Sequence, residues 1–401
     1  MGIRDITHRA VVAAAPTCLV SGLLFGSTAN IAQASQALLA APADAGLLGV
    51  SASSPSNAWA VGFQVSGQAD RTLTEHWNGK AWQHVKSLSP GGVGHTAELL
   101  SVSTLSKSNA WAVGFFSDGT LNHSLIEHWN GHAWKVFPPP VQGCTPGDVL
   151  SSVKAISPSN VWAVGTVTNC FSLNATPDTF HWNGTAWHEV RTPNPGQSLG
   201  GELMGVDATS ATNVWAVGDY PTGQAQGRLS IAMHWNGTKW RVVKSPSVSG
   251  PSLLNALEGV SVSSRTNAWA VGFSVKAVPH ASFTVALHWN GKVWKHVPTP
   301  HPAHGNGDAL TSVDALSAGT AFAVGNFRNA KNLVQNAAMQ WNGRTWNLVR
   351  SPAPAAPKES GLTGVVATSA ANAWAVGFSS VGNTEQVIIL RWNGKTWRRQ
   401  V

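Results

Sequence analysis

The segment NAWAVGF at residues 57–63, followed by EHWNGKAWQHV at residues 75–85, returns six more times along the chain. W-A-V-G begins at Trp59, Trp111, Trp162, Trp215, Trp269 and Trp374, and Phe322 begins an F-A-V-G in the remaining copy. W-N-G-x-x-W contains Trp77/Trp82, Trp129/Trp134, Trp182/Trp187, Trp235/Trp240, Trp289/Trp294, Trp341/Trp346 and Trp392/Trp397, so the two motifs hold all 20 tryptophans. A strand-like repeat recurring roughly every 52 residues predicts a closed array of small sheets.

Each copy predicts four short strands, named A to D in chain order. In the second copy they are residues 99–103, 110–115, 124–129 and 133–137. Strand A has Leu and Val three residues apart in every copy, with the leucines at Leu47, Leu99, Leu150, Leu203, Leu257, Leu310 and Leu362. An S-x-x-N turn follows strand A, and its Asn suits an Asx-type or left-handed conformation. Asn-Gly between strands C and D predicts a two-residue hairpin turn.

Four antiparallel strands per copy, with both faces apolar, predict an all-β, seven-bladed β-propeller of four-stranded antiparallel blades. The units start near residues 47, 99, 150, 203, 257, 310 and 362, and the propeller occupies residues 47–401. The tryptophans recur at fixed offsets, so we interpret them as the core between blades rather than as platforms for sugar rings. The ring is expected to close by packing of the first blade on the seventh.

The repeat L-x-x-V, then A-W-x-V, then W-x-G-x-x-W resembles that of the tectonin-type propeller lectins, over residues 47–401. The resemblance implies a propeller that binds carbohydrate without catalysis. Two connections per blade are of interest. The A–B and C–D turns are tight and nearly invariant, while the B–C and D–A connections are predicted to be long and variable, about 9 to 12 residues each, and to emerge on one face. Loops that vary on a rigid scaffold are where binding sites usually lie.

The first 34 residues differ from the repeat. Arg4 and Arg9 precede a mostly apolar stretch, and Ala32-Gln33-Ala34 ends it before Ser35. This pattern predicts a secretory signal peptide at residues 1–34, a short lead at 35–46, no membrane span, and a protein that is secreted to the extracellular space or the cell envelope. Export favours a disulfide between Cys144 and Cys170, with two free cysteines as the alternative.

A formal net charge of +8 allows binding to anionic polymers such as wall polysaccharide or nucleic acid. The other interpretation is that lysine and arginine on strand D prevent edge-to-edge pairing of sheets. We favour the second for the basic residues at that strand, which are Lys86, Lys135, Arg191, Arg241, Lys244, Lys295, Arg350, Arg398 and Arg399. No specific nucleic acid is expected as a partner, and a monomer is predicted.

Candidate ligand-binding residues follow W-A-V-G at the rim of the variable face. They are Phe63, Phe115, Asp219, Phe273, Asn326 and Phe378, together with Tyr220, the single tyrosine. Packing under the loops is the competing interpretation of these positions. Histidine precedes W-N-G in five copies, at His76, His128, His181, His234 and His288. Five histidines spread over five blades cannot meet at one metal ion, so we predict hydrogen bonds between blades, and no metal or cofactor.

Three functions remain open, in this order. The first is a secreted, non-catalytic protein that recognises a cell-surface or cell-wall glycan through the variable face. The second is an extracellular scaffold that binds another protein. The third is a propeller hydrolase or lyase, which only Asp207 and Asp314 keep open, because both follow the strand A valine and would line the central channel. The chain has no G-x-S-x-G, phosphate loop or dinucleotide fingerprint.

Overall fold

Seven four-stranded antiparallel sheets form the protein, each with its strands in the order A, B, C, D. The computed structural model describes residues 44–139, 147–168, 175–223, 227–248, 254–276, 281–300, 307–352, 359–382 and 384–400. Apart from one short 3-10 turn at Gln197–Leu199, every regular element in these ranges is a strand. The predicted seven-bladed β-propeller is therefore confirmed.

Strand A lies next to the axis of the ring and strand D at its outer edge. The strands A are Ala45–Ser54, Ala97–Ser106, Val149–Ser157, Glu202–Ser210, Asn255–Ser264, Ala309–Ser317 and Glu359–Ser369. The strands B are Asn57–Ser66, Asn109–Ser117, Asn160–Thr168, Asn213–Pro221, Asn267–Lys276, Thr320–Arg328 and Asn372–Val381. The strands C are Ala69–Trp77, Asn122–Trp129, Ala175–Trp182, Arg228–Trp235, Ala281–Trp289, Val334–Trp341 and Thr384–Trp392. The strands D are Trp82–His84, Trp134–Val136, Trp187–Glu189, Trp240–Val243, Trp294–His296, Trp346–Leu348 and Trp397–Arg399.

Two faces of the disc differ in the length of their connections. On one face, two residues join A to B and four join C to D in every blade; we call it the turn face. On the other, two to six residues join B to C and ten to twelve join D to A; we call it the loop face. The B–C connections are shorter than the sequence predicted because strands B and C continue beyond their repeated motifs.

The W-N-G-x-x-W turn is not the two-residue hairpin predicted from Asn-Gly. In the first blade Trp77 pairs with Trp82, so four residues form the connection. The Oδ1 atom of Asn78 accepts the backbone N–H groups of Lys80 and Ala81 at 2.9 and 3.0 Å. Only Gly79 has positive φ, at 95°. The asparagine therefore acts through its side chain, which takes up two turn donors, and not through a left-handed backbone.

The first tryptophan of W-N-G-x-x-W ties the two turns of its blade together. In all seven blades its indole N–H donates to a carbonyl of the A–B turn, as from Trp77 to Pro55 at 3.1 Å. The histidines act in the same place: His76 Nε2 lies 2.8 Å from Oδ1 of Asn57, which begins strand B. The prediction of hydrogen bonds between blades was wrong, because strand C lies beside strand B of its own blade and carries the imidazole to that asparagine.

Aromatic rings form the joints between blades. The first ring of each W-A-V-G or F-A-V-G packs on the two tryptophans of the next blade's W-N-G-x-x-W, with ring centroids 4.8 to 6.1 Å apart. Trp374 makes the same contact with Trp77 and Trp82, so the seventh blade closes on the first. The prediction that the tryptophans form the core between blades is confirmed.

The glycine of W-A-V-G is required by the close approach of strands A and B. A Cβ on Gly62 would lie 2.0 Å from the carbonyl oxygen of Gly46, and the six equivalent glycines give 1.9 or 2.0 Å. No side chain fits at such a distance.

The outer edge of each blade is the three- or four-residue strand D, whose residues after the tryptophan are largely exposed. No helix in the described ranges is long and apolar enough to cross a bilayer.

Candidate functional site

A β-bulge in every strand A shapes the wall of the central channel. In the first blade Leu47 pairs with Gly62 and Gly49 pairs with Val61, so Leu48 has no partner in strand B. The same shift occurs in all seven blades. A bulge turns a side chain away from the regular alternation. The bulged residues face the channel and are partly exposed; they are Leu48, Leu100, Ser151, Met204, Glu258, Thr311 and Thr363.

The residue after each bulged position is glycine or serine because the next blade lies against it. A Cβ on Gly49 would be 2.9 Å from the carbonyl oxygen of Leu100 in the second blade. Where serine occurs, its hydroxyl links the blades: Ser101 Oγ accepts the backbone N–H of Val153 at 3.2 Å. Ser152 and Ser312 make the equivalent bond to the next blade at 3.2 Å. The channel wall is thus held at a constant radius, while the bulged side chains differ.

The channel widens toward the loop face into a cavity of about 530 Å³. All seven bulged residues line it, with leucine and methionine on some blades and hydroxyl groups on others. Three carboxylates also line it, those of Glu98, Glu202 and Glu258, and no Lys, Arg or His is among its described lining residues. The volume lies within the roughly 300–1,000 Å³ of ordinary ligand sites. We call this the axial cavity.

The seven candidate rim residues surround the mouth of the axial cavity, and only two of them line it. Phe63 and Phe378, from the first and seventh blades, line the cavity and pack edge to face with centroids 6.3 Å apart. Phe115, Phe273, Asn326 and Asp219 are 5% exposed or less. Tyr220 is half-buried and packs against the joint between the third and fourth blades. The structure therefore places most of this set under the loops, where sequence reasoning had packing as the competing interpretation.

An ion cluster holds one side of the mouth. The guanidinium of Arg228 bonds the carboxylates of Asp219 and Glu202, the latter at 2.5 Å. Burial alone would lower the pKa of Arg228, but the charges of Asp219 and Glu202 outweigh it and raise that pKa. Asp219 therefore serves as a partner for arginine, which fixes strand C of the fourth blade against its strands A and B.

Asp207 and Asp314 lie nearer the turn face than the axial cavity and link blades. Asp207 Oδ2 accepts the backbone N–H of Val262 at 2.6 Å, and its Oδ1 pairs with Lys154 Nζ at 2.6 Å. Asp314 accepts the N–H of Ala367 at 2.6 Å, and burial raises its pKa to about 6. Both carboxylates thus do what serine does at the same position in other blades, as in the bond from Ala315 to Ser261.

Other carboxylates with raised pKa values lie between blades. Burial raises the pKa of Glu75 to about 7 and that of Glu127 to about 8, the latter opposed by the N–H of Leu88 that bonds it. Burial, followed by the charge of Glu189, raises the pKa of Asp178 to about 7. None of these three lines the axial cavity. Sequence reasoning missed them; the signal was an acid at a strand C position that is apolar in other blades, as Asp178 stands where Leu125 and Ile231 do.

Within the described ranges no three His, Cys, Asp or Glu side chains come together as metal ligands. Cys144, Cys170, His301 and His304 lie outside the described residues, as do residues 1–43 with the predicted signal peptide. The disulfide and the signal peptide therefore stay predictions.

No protein-family model and no curated protein matches the chain. Solved structures do match in fold. Ulvan lyase of polysaccharide lyase family PL25, bound to -[GlcA(1-4)Rha3S]-, matches with TM-score 0.50 and 10% identity over 74% of this chain and 80% of that one. Sqt1 from Chaetomium thermophilum matches with TM-score 0.50 and 11% identity over 88% of this chain and 83% of that one. At these identities the likeness shows the propeller fold, and the tectonin-type family is not shown.

Proposed function

We propose that this chain is a secreted, non-catalytic binding protein that holds a glycan in the axial cavity, entered from the loop face. The axial cavity carries the proposal. In a repeat whose strand, turn and joint residues are nearly the same seven times, the residues that line this cavity differ from blade to blade. Variation at the bulged positions therefore falls on a concave surface of a rigid scaffold, as is typical of a binding site.

The chemistry of the lining favours a sugar. Leu48, Leu100 and Met204 offer apolar surface for the C–H face of a sugar ring, and Ser151 offers a hydroxyl group at the same level. The hydroxyl of Thr311 donates to the carbonyl of Leu362 at 2.8 Å, so its oxygen can only accept from a ligand. Sites of this kind combine apolar walls with a few polar groups that orient the ligand. Phe63 and Phe378 add aromatic edges at the mouth. The resemblance to tectonin-type lectins agrees with this choice.

The charge of the cavity narrows the glycan class. Glu202 is paired with Arg228, while Glu98 and Glu258 also line the cavity and no Lys, Arg or His is among its described lining residues. This charge balance disfavours uronate or sulfated sugars, because like charges at short range repel. We therefore propose a neutral or amino sugar. A non-catalytic role is supported by where the raised carboxyl pKa values lie, since a catalytic acid would be expected in the cavity. Glu75, Glu127 and Asp178 are between blades, and neither they nor Asp148 and Asp308, whose pKa values burial raises to about 6, line the axial cavity.

The test is binding of the protein to a panel of neutral, amino and acidic glycans at physiological salt. Two variants locate the site: Ser151→Trp, which fills the axial cavity, and Val93→Trp, which changes a fully accessible residue of a D–A connection on the same face. We expect saturable binding of a neutral or amino glycan that Ser151→Trp abolishes and Val93→Trp leaves unchanged. Loss with Val93→Trp alone would place the site on the loops, and binding of no glycan would overturn the proposal. Release of shortened product from a bound glycan would contradict the non-catalytic role.

A further inference from the structure

The turn face carries charge of one sign. The A–B and C–D turns, residues 54–57 and 78–81 and their six pairs of equivalents, all lie within the described ranges and contain no Asp or Glu. Their cations are exposed and come from six of the seven blades; they are Lys80, Lys107, Lys239, Arg265, Lys292, Arg344 and Lys395. The third blade is the exception, with Pro158 and Thr185 in its turns and Glu189 on its strand D.

Protection of sheet edges does not explain these charges. That role belongs to side chains on strand D, such as Lys135, Arg241 and Lys295, whose backbone groups are at the edge of the sheet. The seven turn cations stand beyond the strand ends, where no further strand can pair. They already act on their surroundings: the pKa of His76 is lowered, mainly by burial and then by the charge of Lys107 in the next blade. His234 is affected in the same way by burial and Arg265.

The turn face is also flat and rigid. Because the A–B connection has two residues and the C–D connection four in every blade, the fourteen turns end at matching levels. Each C–D turn rests on its A–B turn, as Gly79 does on Ser56, and an indole N–H bond joins the two. No turn projects as a loop that could close around a chain.

Apart from Glu189 and Asp314, the described carboxylates that reach solvent lie toward the opposite end of the strands. Asp44, Asp70, Asp118, Glu359 and Glu385 are at the loop-face ends of strands A and C or in a B–C connection, and are half-buried or exposed. The turns therefore present positive charge only, whereas the loop face mixes carboxylates with cations such as Lys86, Lys244 and Lys331. Such a molecule turns its positive face to an anionic surface and keeps the other face outward.

We propose that the turn face docks on a membrane surface of anionic phospholipid headgroups. A planar membrane surface can contact every cation of a coplanar ring at the same time. A linear polymer would contact only part of the ring, and a stiff duplex only the cations along one line across it. The turn tips are mostly polar, so contact is through charge at the headgroup level. Docking in this way leaves the mouth of the axial cavity facing away from the lipid. The inference does not depend on the glycan proposal.

The experiment is co-sedimentation of the full chain with vesicles of phosphatidylcholine alone and of phosphatidylcholine mixed with phosphatidylglycerol. Binding is expected only to the mixed vesicles and is expected to weaken as salt rises. The test variant changes four turn lysines, Lys80, Lys239, Lys292 and Lys395, to glutamine. Each cation near an anionic surface strengthens partitioning by about fivefold, so the variant should bind roughly a hundredfold more weakly or worse.

A matched variant removes the same charge elsewhere. Lys86, Lys244, Lys331 and Arg350 are exposed cations toward the loop face, and their change to glutamine lowers net charge equally. It should keep vesicle binding, as should a variant with arginine at the four turn lysines. Both glutamine variants carry the same N-terminal segment, so any contribution of that segment cancels. Equal loss in both, or binding to duplex DNA or an acidic polysaccharide but not to vesicles, would overturn the proposal.

Discussion

The ion pair between Lys154 and Asp207 is expected to hold the third blade to the fourth, and a double-mutant cycle can measure it. Asp207→Ser removes the carboxylate that lies 2.6 Å from Lys154 Nζ. It keeps an acceptor for the N–H of Val262, because serine makes that bond at 2.9 to 3.0 Å at three other joints. The change therefore isolates the ion pair from the backbone hydrogen bond.

The magnitude follows from how much of the pair is buried. Breaking a fully buried pair costs about 3–5 kcal/mol, and an exposed pair contributes about 0.2–1 kcal/mol. The side chain of Lys154 is 34% exposed to the channel and that of Asp207 is 12% exposed. We therefore expect Asp207→Ser to lower the free energy of unfolding by about 1–3 kcal/mol.

The second arm of the cycle is Lys154→Ser, alone and with Asp207→Ser. The double variant has serine at both positions, as at Ser51, Ser103 and Ser261, and we expect stability within about 1 kcal/mol of the original chain. Urea denaturation at pH 7 gives the four free energies and the coupling between the two residues. A coupling below about 0.5 kcal/mol, or a double variant as unstable as the sum of the single ones, would refute the role assigned to this pair.

Three further outcomes are expected. Glu127 alone should lower stability by about 1–2 kcal/mol between pH 6.5 and 8, because the folded carboxyl, with its pKa raised to about 8, keeps a proton that the unfolded chain, near 4.5, has already lost. Glu75 and Asp178, whose pKa values are raised to about 7, act in the same direction. The five histidines of lowered pKa act in the opposite sense, because the unfolded imidazole, with a pKa near 6.5, still loses about half a proton in this range. They are the same in Glu127→Gln, so the difference between the pH profiles of the variant and the original chain isolates the carboxyl of Glu127. Thermal melts of Glu127→Gln should show a smaller fall in stability as pH rises, and an unchanged slope would contradict this cause. Gly218→Ala should prevent folding, since its Cβ would lie 1.9 Å from the carbonyl oxygen of Glu202, whereas Gly319→Ala, with nothing nearer than 4.0 Å, should give a normal circular dichroism spectrum and melt. Asn213→Ala should cost about 1–3 kcal/mol in urea denaturation, because it removes the 2.9 Å bond to His234 and the 2.7 Å bond to Thr209, and no change would mean that water replaces the asparagine equally well.

Much of the fold could be predicted because its determinants are local and repeated. The spacing of W-A-V-G and W-N-G-x-x-W predicted four strands per unit and rings between units, and both are present. Trp77 shows the limit of such reasoning: its place in the core was predicted, but its N–H bond to Pro55 depends on how strand C meets the A–B turn. The partner of His76 was misplaced for the same reason, since a spacing does not say which neighbouring strand a side chain reaches.

The candidate site was less accessible to prediction. Leu47 and Val50 are three residues apart, and in a regular strand they would face opposite sides. Their shared role in one joint requires a bulge, and the bulge is what turns Leu48 into the channel. That odd spacing was the available signal. Because this spacing was not used, Phe63 and its equivalents were predicted as ligand-binding residues, although most of them are buried under the loops. Asp207 was considered as a channel residue, although it joins blades.

By itself the sequence determined the number of blades, their strands and the residues that pack between them, because the same strand and turn motifs recur in the same order in every copy. Only the closed ring decided which side chains meet at its centre. Leu48, Ser151 and Glu258 lie far apart along the chain and share one cavity because seven blades place their bulges at one level around a single axis. The same closure gathers the turn lysines on one face. Each copy of the repeat contributes one bulged residue to the cavity. These residues form a site only because the closed ring places the seven copies at one level.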